Sequence, residues 1–526
     1  MTLKTAGCHV QPTQNPTMSA GPCLRSRPAN AFIKGNVLMF RPTLGLVACI
    51  SLSTTALASE FDELVGKLPS GANVLLSIDS DRVLASQMAM QNNWGSRVDD
   101  GSRPVYLPQE ADKVLVAAQV DPVRGFDRAW EVAIMGLKET LPMRLVARAE
   151  GGYTDTIHGL NAAWVPSDAY FLEVTPEIMG LMYPANRQAV SRWAERQQNG
   201  TASGVSPFLL ASVEAAKAGP QIVLAIDLQD AAQPHRLQQT LSESDVVTKE
   251  KQNINSLVDV LASLKGLVLK VTLTDKAKAD VQIDFGKPVS FSESIAKQLT
   301  LGALTRLQAE LPGVDKWKFS VSGSSIMCSG DLSAEALRRI LSIVEIPSTK
   351  FSSLKGQSTE EASEDDMVKN SLVYFQTVTK MIEDLKKNSG SYSGDSRWFD
   401  RYADKIDRLP ILHVDPELLD FGQNTAQTLR VMSGARKDAN LRSGVRQTNM
   451  MASSGSGYDN YNYSYGGSGY TSNTRADVRS TITSANAAKT QEIAGASATK
   501  IEGFRLIDNA TLEIRRTMTE RYNKEF

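Results

Sequence analysis

Two short apolar stretches, 148 residues apart, constrain the fold of this chain more than any other feature. Residues 73–79 read NVLLSID, and residues 221–227 read QIVLAID. Each stretch is a polar residue, then an unbroken apolar run, then Ile-Asp. A run of this kind, rich in Val, Ile and Leu, is typical of a strand that is covered on both faces. We therefore interpret the two stretches as equivalent strands of two similar halves.

The residues around these stretches repeat one order of elements: strand, helix, two strands, helix, hairpin, helix. The first half spans 60–200 and the second spans 205–346. Val132 and Val281, in the third strand of each half, are 149 residues apart, close to the offset of the first strands. This predicts a duplication; the alternative is one unduplicated α+β domain. Adjacent hairpins predict a sheet that is at least partly antiparallel, with helices on one face.

The C-terminal third of the chain is predicted to be all-α. An acidic linker at 347–366 separates it from the sheet region. Residues 367–447 carry apolar side chains at helical spacing and predict a small helical bundle. The predicted fold class is therefore α+β, with the two halves interpreted as a duplication, followed by an all-α C-terminal region.

A tyrosine-rich tract precedes the last predicted helix. Residues 453–472 are a low-complexity run of Tyr, Gly, Ser and Asn, which predicts a disordered loop; the alternative is self-association through tyrosine contacts. Residues 474–523 carry a broken apolar stripe and predict one long helix in a coiled-coil-like setting. Gly495 and Gly503 lie inside it, and each disfavours a helix interior by about 1 kcal/mol relative to Ala. These two glycines are the positions at which an interruption of the long helix is compatible with the sequence.

The N-terminus has the layout of an export signal. Residues 1–38 are polar and Pro-rich, and we interpret them as a non-native or disordered extension. Residues 39–58 contain a basic start, the apolar run LGLVACISLSTTA and an A-x-A site ending at Ala58, which together predict a signal peptide. The run is shorter than the ~20 residues of a membrane span. We expect a mature chain from Ser59, without a span, in the periplasm or cell envelope; the alternatives are a lipid anchor at Cys49 and a buried segment of a cytosolic protein.

Charge and cysteine content narrow the classes of function. The formal net charge is −1, which argues against nucleic-acid binding, since such proteins carry a basic excess. Cleavage after Ala58 leaves Cys328 as the only cysteine. A mature exported chain of this kind has no internal disulfide. Cys328 is predicted to be a small buried apolar residue rather than a reactive thiol.

No motif in the chain predicts catalytic, cofactor-binding or metal-binding residues. The mature chain has three histidines, none paired at metal-ligand spacing: His158, His235 and His413. Two SxxK matches, at 294–297 and 497–500, lack the companion motifs of their enzyme class. Three acidic residues, Asp79, Asp81 and Asp227, end strands. They suit either a cation site or, more commonly, turns and helix caps.

Several stretches resemble a known group of sequences. These are GANVLLSID, DAYFLEV, MYPANRQAVSRW, RLPILHVDPELLDFG and SGVRQ followed by the Tyr/Gly tract. They are similar to a family of uncharacterised, predicted exported proteins of planctomycete bacteria. The resemblance covers most of the chain after residue 60. It implies export and the occurrence of both regions together, and it supplies no site residues.

Two functions are compatible with these observations. The first is an exported non-enzymatic binding or scaffold protein of the cell envelope, without a cofactor, that contacts a protein partner or a second copy through its C-terminal helix. The alternative is a carboxylate-dependent hydrolase of an envelope polymer, because carboxylates need no recognisable motif. Two facing acids of raised pKa in a cleft would favour the hydrolase. An exposed apolar helix stripe would favour the binding protein.

Overall fold

A computed structural model of the chain describes residues 60–95, 107–122, 126–200, 204–217, 219–242, 244, 253–307, 309–344, 364–387, 396–455 and 474–526. Four predicted segments fall wholly or mostly outside these residues: 1–38, the signal peptide at 39–58, the linker at 347–366 and the loop at 453–472.

Twelve strands of the described chain form one antiparallel sheet, which agrees with the predicted α+β class. The first half contributes β1 (Val74–Asp79), β2 (Ala111–Asp121), β3 (Asp127–Leu137), β4 (Tyr153–Ile157), β5 (Leu160–Val165), β6 (Ala169–Thr175) and β7 (Ile178–Tyr183). The second half contributes β8 (Ile222–Asp227), β9 (Leu264–Leu273), β10 (Ala277–Phe285), β11 (Lys318–Ser322) and β12 (Ser325–Leu332). Their spatial order is β11-β12-β10-β9-β8-β1-β2-β3-β7-β6-β5-β4. The two halves therefore meet at β1 and β8.

The register between β1 and β8 is symmetric. Leu76 faces Leu224, and Val74 faces Ile226. At an offset of 148, Leu224 is the equivalent of Leu76, and Ile226 is the equivalent of Ile78. Val74 therefore pairs with the equivalent of Ile78, and Leu76 pairs with its own equivalent. A local two-fold axis between Leu76 and Leu224 produces this register.

The polar residue that precedes each of these strands makes the same contact in both halves. The Asn73 side-chain amide donates to the carbonyl of Val120 at 2.7 Å and accepts from its backbone N–H at 2.8 Å. The Gln221 amide donates to the carbonyl of Leu273 at 3.0 Å and accepts from its N–H at 2.9 Å. Each side chain thus imitates a peptide group and extends the strand pairing by one residue. The polar start of both sequence stretches has a structural reason.

The helices also follow one order in the two halves. The first half contains α1 (Glu60–Gly66), α2 (Ser80–Leu84), α3 (Gln87–Gln91), α4 (Met143–Glu150) and α5 (Arg187–Gln198), and α6 (Pro207–Lys217) leads into β8. The second contains α7 (Pro234–Ser242), α8 (Ile254–Leu261), α9 (Glu293–Arg306) and α10 (Ala334–Leu341). In each half two short helices follow the first strand, one helix follows the third, and one helix follows the last hairpin. This order and the β1–β8 register support a duplication, and the hairpin β4–β5 is an addition to the first half.

Helices cover both faces of the sheet, so the expectation of helices on one face was wrong. Val74 and Leu76 pack in one core with α2, α3, α4 and α10. Leu75, between them, packs in a second core with α1, α5 and α6. Alternate residues of a strand point to opposite faces. The unbroken apolar run of β1 therefore has a covered surface for every side chain, which confirms its interpretation as a strand buried on both faces.

The C-terminal region is helical, as predicted. Its helices are α11 (Glu364–Lys387), α12 (Ser396–Asp407), α13 (Pro416–Gly455) and α14 (Thr474–Tyr522). They share a core that includes Phe375, Trp398, Leu429 and Ile514. None of the helices in the described residues combines the length and apolar character that a bilayer crossing requires.

The last helix, α14, is continuous from Thr474 to Tyr522, without an interruption at either glycine. Gly503 lies against Met432 of α13, where a Cβ atom would overlap the methionine sulfur. The glycine therefore permits close approach of two helices, and that contact outweighs its low helix propensity. Gly495 has open space around its Cα and is tolerated within the same helix.

Candidate functional site

The strand-end aspartates act as turn and cap residues. Asp79 accepts from the backbone N–H of Arg82 at 3.1 Å and lies 3.3 Å from the Lys113 ammonium. Asp81 pairs with Lys138 at 2.5 Å, and the Asp227 carboxylate accepts from a backbone N–H two residues on. Among the residues that the structure describes, no group of three or more His, Cys, Asp or Glu side chains is arranged to hold a metal ion.

The histidines and the SxxK motifs are dispersed. His158 Nε2 lies 2.8 Å from the Ser191 hydroxyl on an exposed surface, in the turn between β4 and β5. Lys297 and Lys500, the lysines of the two SxxK matches, lie over phenylalanine rings at 5.9 and 5.3 Å from the ring centroids. Both ammonium groups therefore take part in cation–π contacts.

Cys328 is buried on β12, as the alternating sequence around it predicted. It is 4% exposed and belongs to the first core. Burial raises the pKa of its thiol to about 12. The thiolate is the reactive form of cysteine, so this side chain is inert in the folded protein.

The feature that stands out is a charged cavity of about 450 Å³ between the sheet and the C-terminal helices. The sheet side comes from the start of β3, the β5–β6 turn and the end of β7. The helical side comes from α12, the residue that follows it, and α13. The lining residues are Asp127, Arg128, Pro166, Ser167, Asp168, Tyr183, Arg397, Asp400, Arg401, Asp404, Asp407, Arg408 and Arg430. Five of these are arginines and five are aspartates, and we refer to this space as the charged cavity.

Two guanidinium groups on one face of α12 lie at the floor of the charged cavity. Arg401 is 6% exposed, and its Nη2 donates to the carbonyl of Phe126. Arg397, one helical turn earlier, donates from Nε to the carbonyl of Leu307 at 3.0 Å. In the part of the chain that the structure describes, neither group has a carboxylate within 4.0 Å. Burial, then the like charge of Arg128, lowers the pKa of Arg401 to about 10, and burial lowers the pKa of Arg397.

A second pair of arginines shares one buried carboxylate on the sheet side of the charged cavity. Glu131 on β3 is 1% exposed; Arg128 donates to it at 2.7 Å, and Arg408 lies 3.9 Å from it. The Arg408 guanidinium also stacks on the Tyr183 ring, 3.7 Å from its centroid. These contacts hold two further cations at fixed positions beside Arg401.

The aspartates lie mainly at the rim. Asp404 accepts from Arg430 at 3.0 Å, and Asp407 accepts from the same nitrogen. The three side chains are about two-fifths exposed. Ser167, in the β5–β6 turn, has a buried hydroxyl with no hydrogen-bond partner in the described structure, and Arg408 Nε is in the same state. The charged cavity therefore has arginines at its floor and both aspartates and an arginine at its rim. Two of its buried polar atoms lack a hydrogen-bond partner in the described structure.

Sequence reasoning missed this site, although part of its signal was present. Arg397 and Arg401 are four residues apart, as are Asp400 and Asp404, so the four side chains form a charged stripe along α12. A charged helix face is usually solvated, so this pattern alone does not indicate a cavity. Sequence spacing does not show that Arg128, which is 269 residues before Arg397, lines the same cavity.

Comparisons with known proteins yield only weak likenesses. No family model matches the chain, and no curated protein matches it. Crystal form I of a protein named TP0453 aligns with a TM-score of 0.34 and 14% identity, over 53% of this chain and 97% of that one. Crystal forms III and IV align with TM-scores of 0.32 and 0.30 at the same identity, over 52% of this chain and 95% of that one. Likeness at this level transfers neither a fold nor a function.

Proposed function

We propose that this protein is exported to the cell envelope and acts there as a non-enzymatic binding or scaffold protein. The observation that carries the proposal is the charged cavity. Its volume of about 450 Å³ lies within the range of about 300–1,000 Å³ that is typical of small-molecule sites. Its innermost side chains are arginines, which stay protonated at neutral pH and are suited to holding anions rather than to transferring protons.

The alternative, a carboxylate-dependent hydrolase, requires a carboxylic acid that stays protonated near neutral pH. Among the described residues, the carboxyl groups whose pKa is displaced all have it lowered: Asp155, Asp275, Glu335, Asp415 and Glu502. None of these lines the charged cavity. Asp404 and Asp407, which do line it, are ion-paired with Arg430. These contacts favour binding over hydrolysis.

The C-terminal helix offers a second contact surface. Ile501 and Leu512 of α14 are 63% and 67% exposed. They are eleven residues apart, about three helical turns, and so lie on the same side of the helix. Apolar side chains in this arrangement suit a protein partner or a second copy of the chain. We propose this surface as the scaffolding contact.

Co-sedimentation tests the proposal. The mature chain from Ser59 is incubated with envelopes of its native host, and the bound fraction and any soluble polymer fragments are measured. We expect saturable binding without release of fragments. Release of fragments would establish a hydrolase, and a chain that stays in the supernatant would refute the envelope role.

Point variants test the contact on α14 without removing the helix, whose Ile514 and Met518 belong to the helical core. We expect Ile501→Glu with Leu512→Glu to abolish self-association in sedimentation velocity, or partner-dependent binding to envelopes. Leu506→Glu is the matched control, because Leu506 is 50% exposed but lies about 140° around the helix from Ile501. Equal effects of the two changes would contradict the assignment of this surface.

A further inference from the structure

Two arginines at the floor of the charged cavity have no ion-pair partner among the described residues. Arg397 and Arg401 have no carboxylate within 4.0 Å among the described residues. Arg128 and Arg408 share Glu131, and Arg128 also lies 3.8 Å from Asp404. Arg401 is 94% buried, since only 6% of it is exposed. A buried guanidinium is costly unless it meets an anion or several acceptors. An anionic group placed within the charged cavity would supply the partner that these two arginines lack.

The geometry of the floor suits an oxyanion. Arg397 and Arg401 are separated by one turn of α12, so their guanidinium groups leave the same face of the helix. Each has one donor committed to a backbone carbonyl, and a guanidinium has five donors in total. The remaining donors suit carboxylate or phosphate oxygens, which arginine binds in a bidentate manner.

The rim suits hydroxyl groups. Asp404 and Asp407 accept hydrogen bonds, Arg430 donates them, and the buried Ser167 hydroxyl can do both. A hydroxyl group also donates and accepts, whereas an ammonium group only donates. A rim that mixes acceptors with donors therefore matches a polyhydroxylated body better than an amine.

We propose that the charged cavity binds a sugar that carries an anionic group, with that group on Arg397 and Arg401 and the sugar hydroxyls at the aspartate-containing rim. The inference rests on the proposed binding function and names its ligand class. A carboxylate and a phosphate present the same oxygens to arginine, so both classes of acidic sugar are included.

Calorimetric titration of the mature chain at pH 7 and constant ionic strength tests the proposal. The probes are glucuronate, glucose 6-phosphate, inorganic phosphate and glucose. We expect one equivalent of an acidic sugar to bind, more tightly than inorganic phosphate or glucose. Glucose binding as tightly as glucuronate would overturn the role of the arginines. Inorganic phosphate binding as tightly as glucose 6-phosphate would overturn the role of the rim, and no binding of either acidic sugar would overturn the proposal.

Variants assign the floor. We expect Arg401→Gln and Arg397→Gln each to weaken binding of the acidic sugar about 10- to 100-fold, the effect of losing charge-assisted hydrogen bonds. Arg397 is only partly buried, so its variant remains informative if Arg401→Gln fails to fold. Arg516→Gln is the control, because Arg516 is 81% exposed and pairs with Glu520 on α14. Unchanged affinity in folded Arg397→Gln and Arg401→Gln would contradict the assignment.

The outcome also separates this inference from the function on which it rests. Envelope binding without binding of any probe would overturn the ligand class alone. Binding of an acidic sugar without co-sedimentation would overturn the envelope role alone.

Discussion

The strongest prediction on stability concerns a buried ion pair that joins the second sheet half to the helical region. Arg338 of α10 donates to the Asp384 carboxylate of α11 from Nε at 2.5 Å and from Nη2 at 2.8 Å. The two side chains are 7% and 1% exposed. Burial alone would lower the pKa of Arg338, but the bonds to Asp384 outweigh it and raise the pKa. The change Asp384→Asn keeps the shape of this side chain and removes its charge.

The expected loss in the free energy of unfolding is about 3 kcal/mol. Removing one partner of a buried ion pair costs about 3–5 kcal/mol, because the other charge stays buried without it. Glu335 lies 4.0 Å from Arg338 and is one-quarter exposed, so it offsets part of the lost attraction and places the value at the lower end. A loss of this size is about a hundredfold change in the folding equilibrium constant.

Urea unfolding, followed by tryptophan fluorescence and circular dichroism, measures the loss. The matched control is Glu383→Gln, which removes the same charge from the neighbouring residue of α11. Glu383 pairs with Lys380 at 3.9 Å at an exposed position, and such pairs contribute about 0–1 kcal/mol. Equal destabilisation by the two variants would refute the reasoning. The double change Arg338→Met with Asp384→Leu is expected to recover most of the stability, since it buries no charge.

Three further predictions concern single residues. Cys328 is expected to resist thiol reagents at pH 8 in the folded protein and to react in urea, which peptide mass mapping measures; labelling at equal rates in both states would contradict its burial. Burial would raise the pKa of Asp415, but its hydrogen bonds to Tyr522 and Arg521 outweigh burial and lower it. The stabilisation from this carboxylate is therefore present above an unfolded pKa of about 3.9 and is lost as the pH falls through the folded value. The difference in stability between wild type and Asp415→Asn should shrink between pH 5 and pH 2, and a constant difference would refute this reasoning. Gly180→Ala is expected to lower the free energy of unfolding by ~1–3 kcal/mol, as overpacking of a core does, because a Cβ atom there overlaps the Trp193 ring. Gly302→Ala, in an open helical position, should raise the free energy of unfolding by up to about 1 kcal/mol.

The elements that sequence predicted well are those whose determinants are local. The hairpin between β4 and β5 turns at His158 and Gly159, which have φ values of 48° and 76°. A two-residue turn with both φ values positive matches the twist of the flanking strands, and Gly supplies one of them without strain. The apolar runs of β1 and β8 also predicted strands correctly, because burial on both faces requires an unbroken apolar run.

The elements that sequence missed depend on contacts between distant parts of the chain. Gly503 is a breaker by propensity, and only the position of Met432 on α13 shows why it is needed within α14. Arg401 belongs to a charged stripe that a solvated helix would also show. Its function as the floor of the charged cavity depends on β3, which brings Phe126 and Arg128 against it.

The charged cavity lies where the two halves of the sheet differ. The β5–β6 turn that supplies Ser167 follows the additional hairpin, which the second half lacks. The second half instead binds α12 through two backbone carbonyls. The carbonyl of Leu307 accepts from Arg397, and the carbonyl of Glu310 accepts from Trp398. One half thus fixes the helix, and the other faces it across the charged cavity. The charged cavity thus depends on what the first half adds to one side of the sheet. We therefore expect an anion bound to Arg397 to link both halves through α12 and to raise the melting temperature of the whole described fold rather than that of one half.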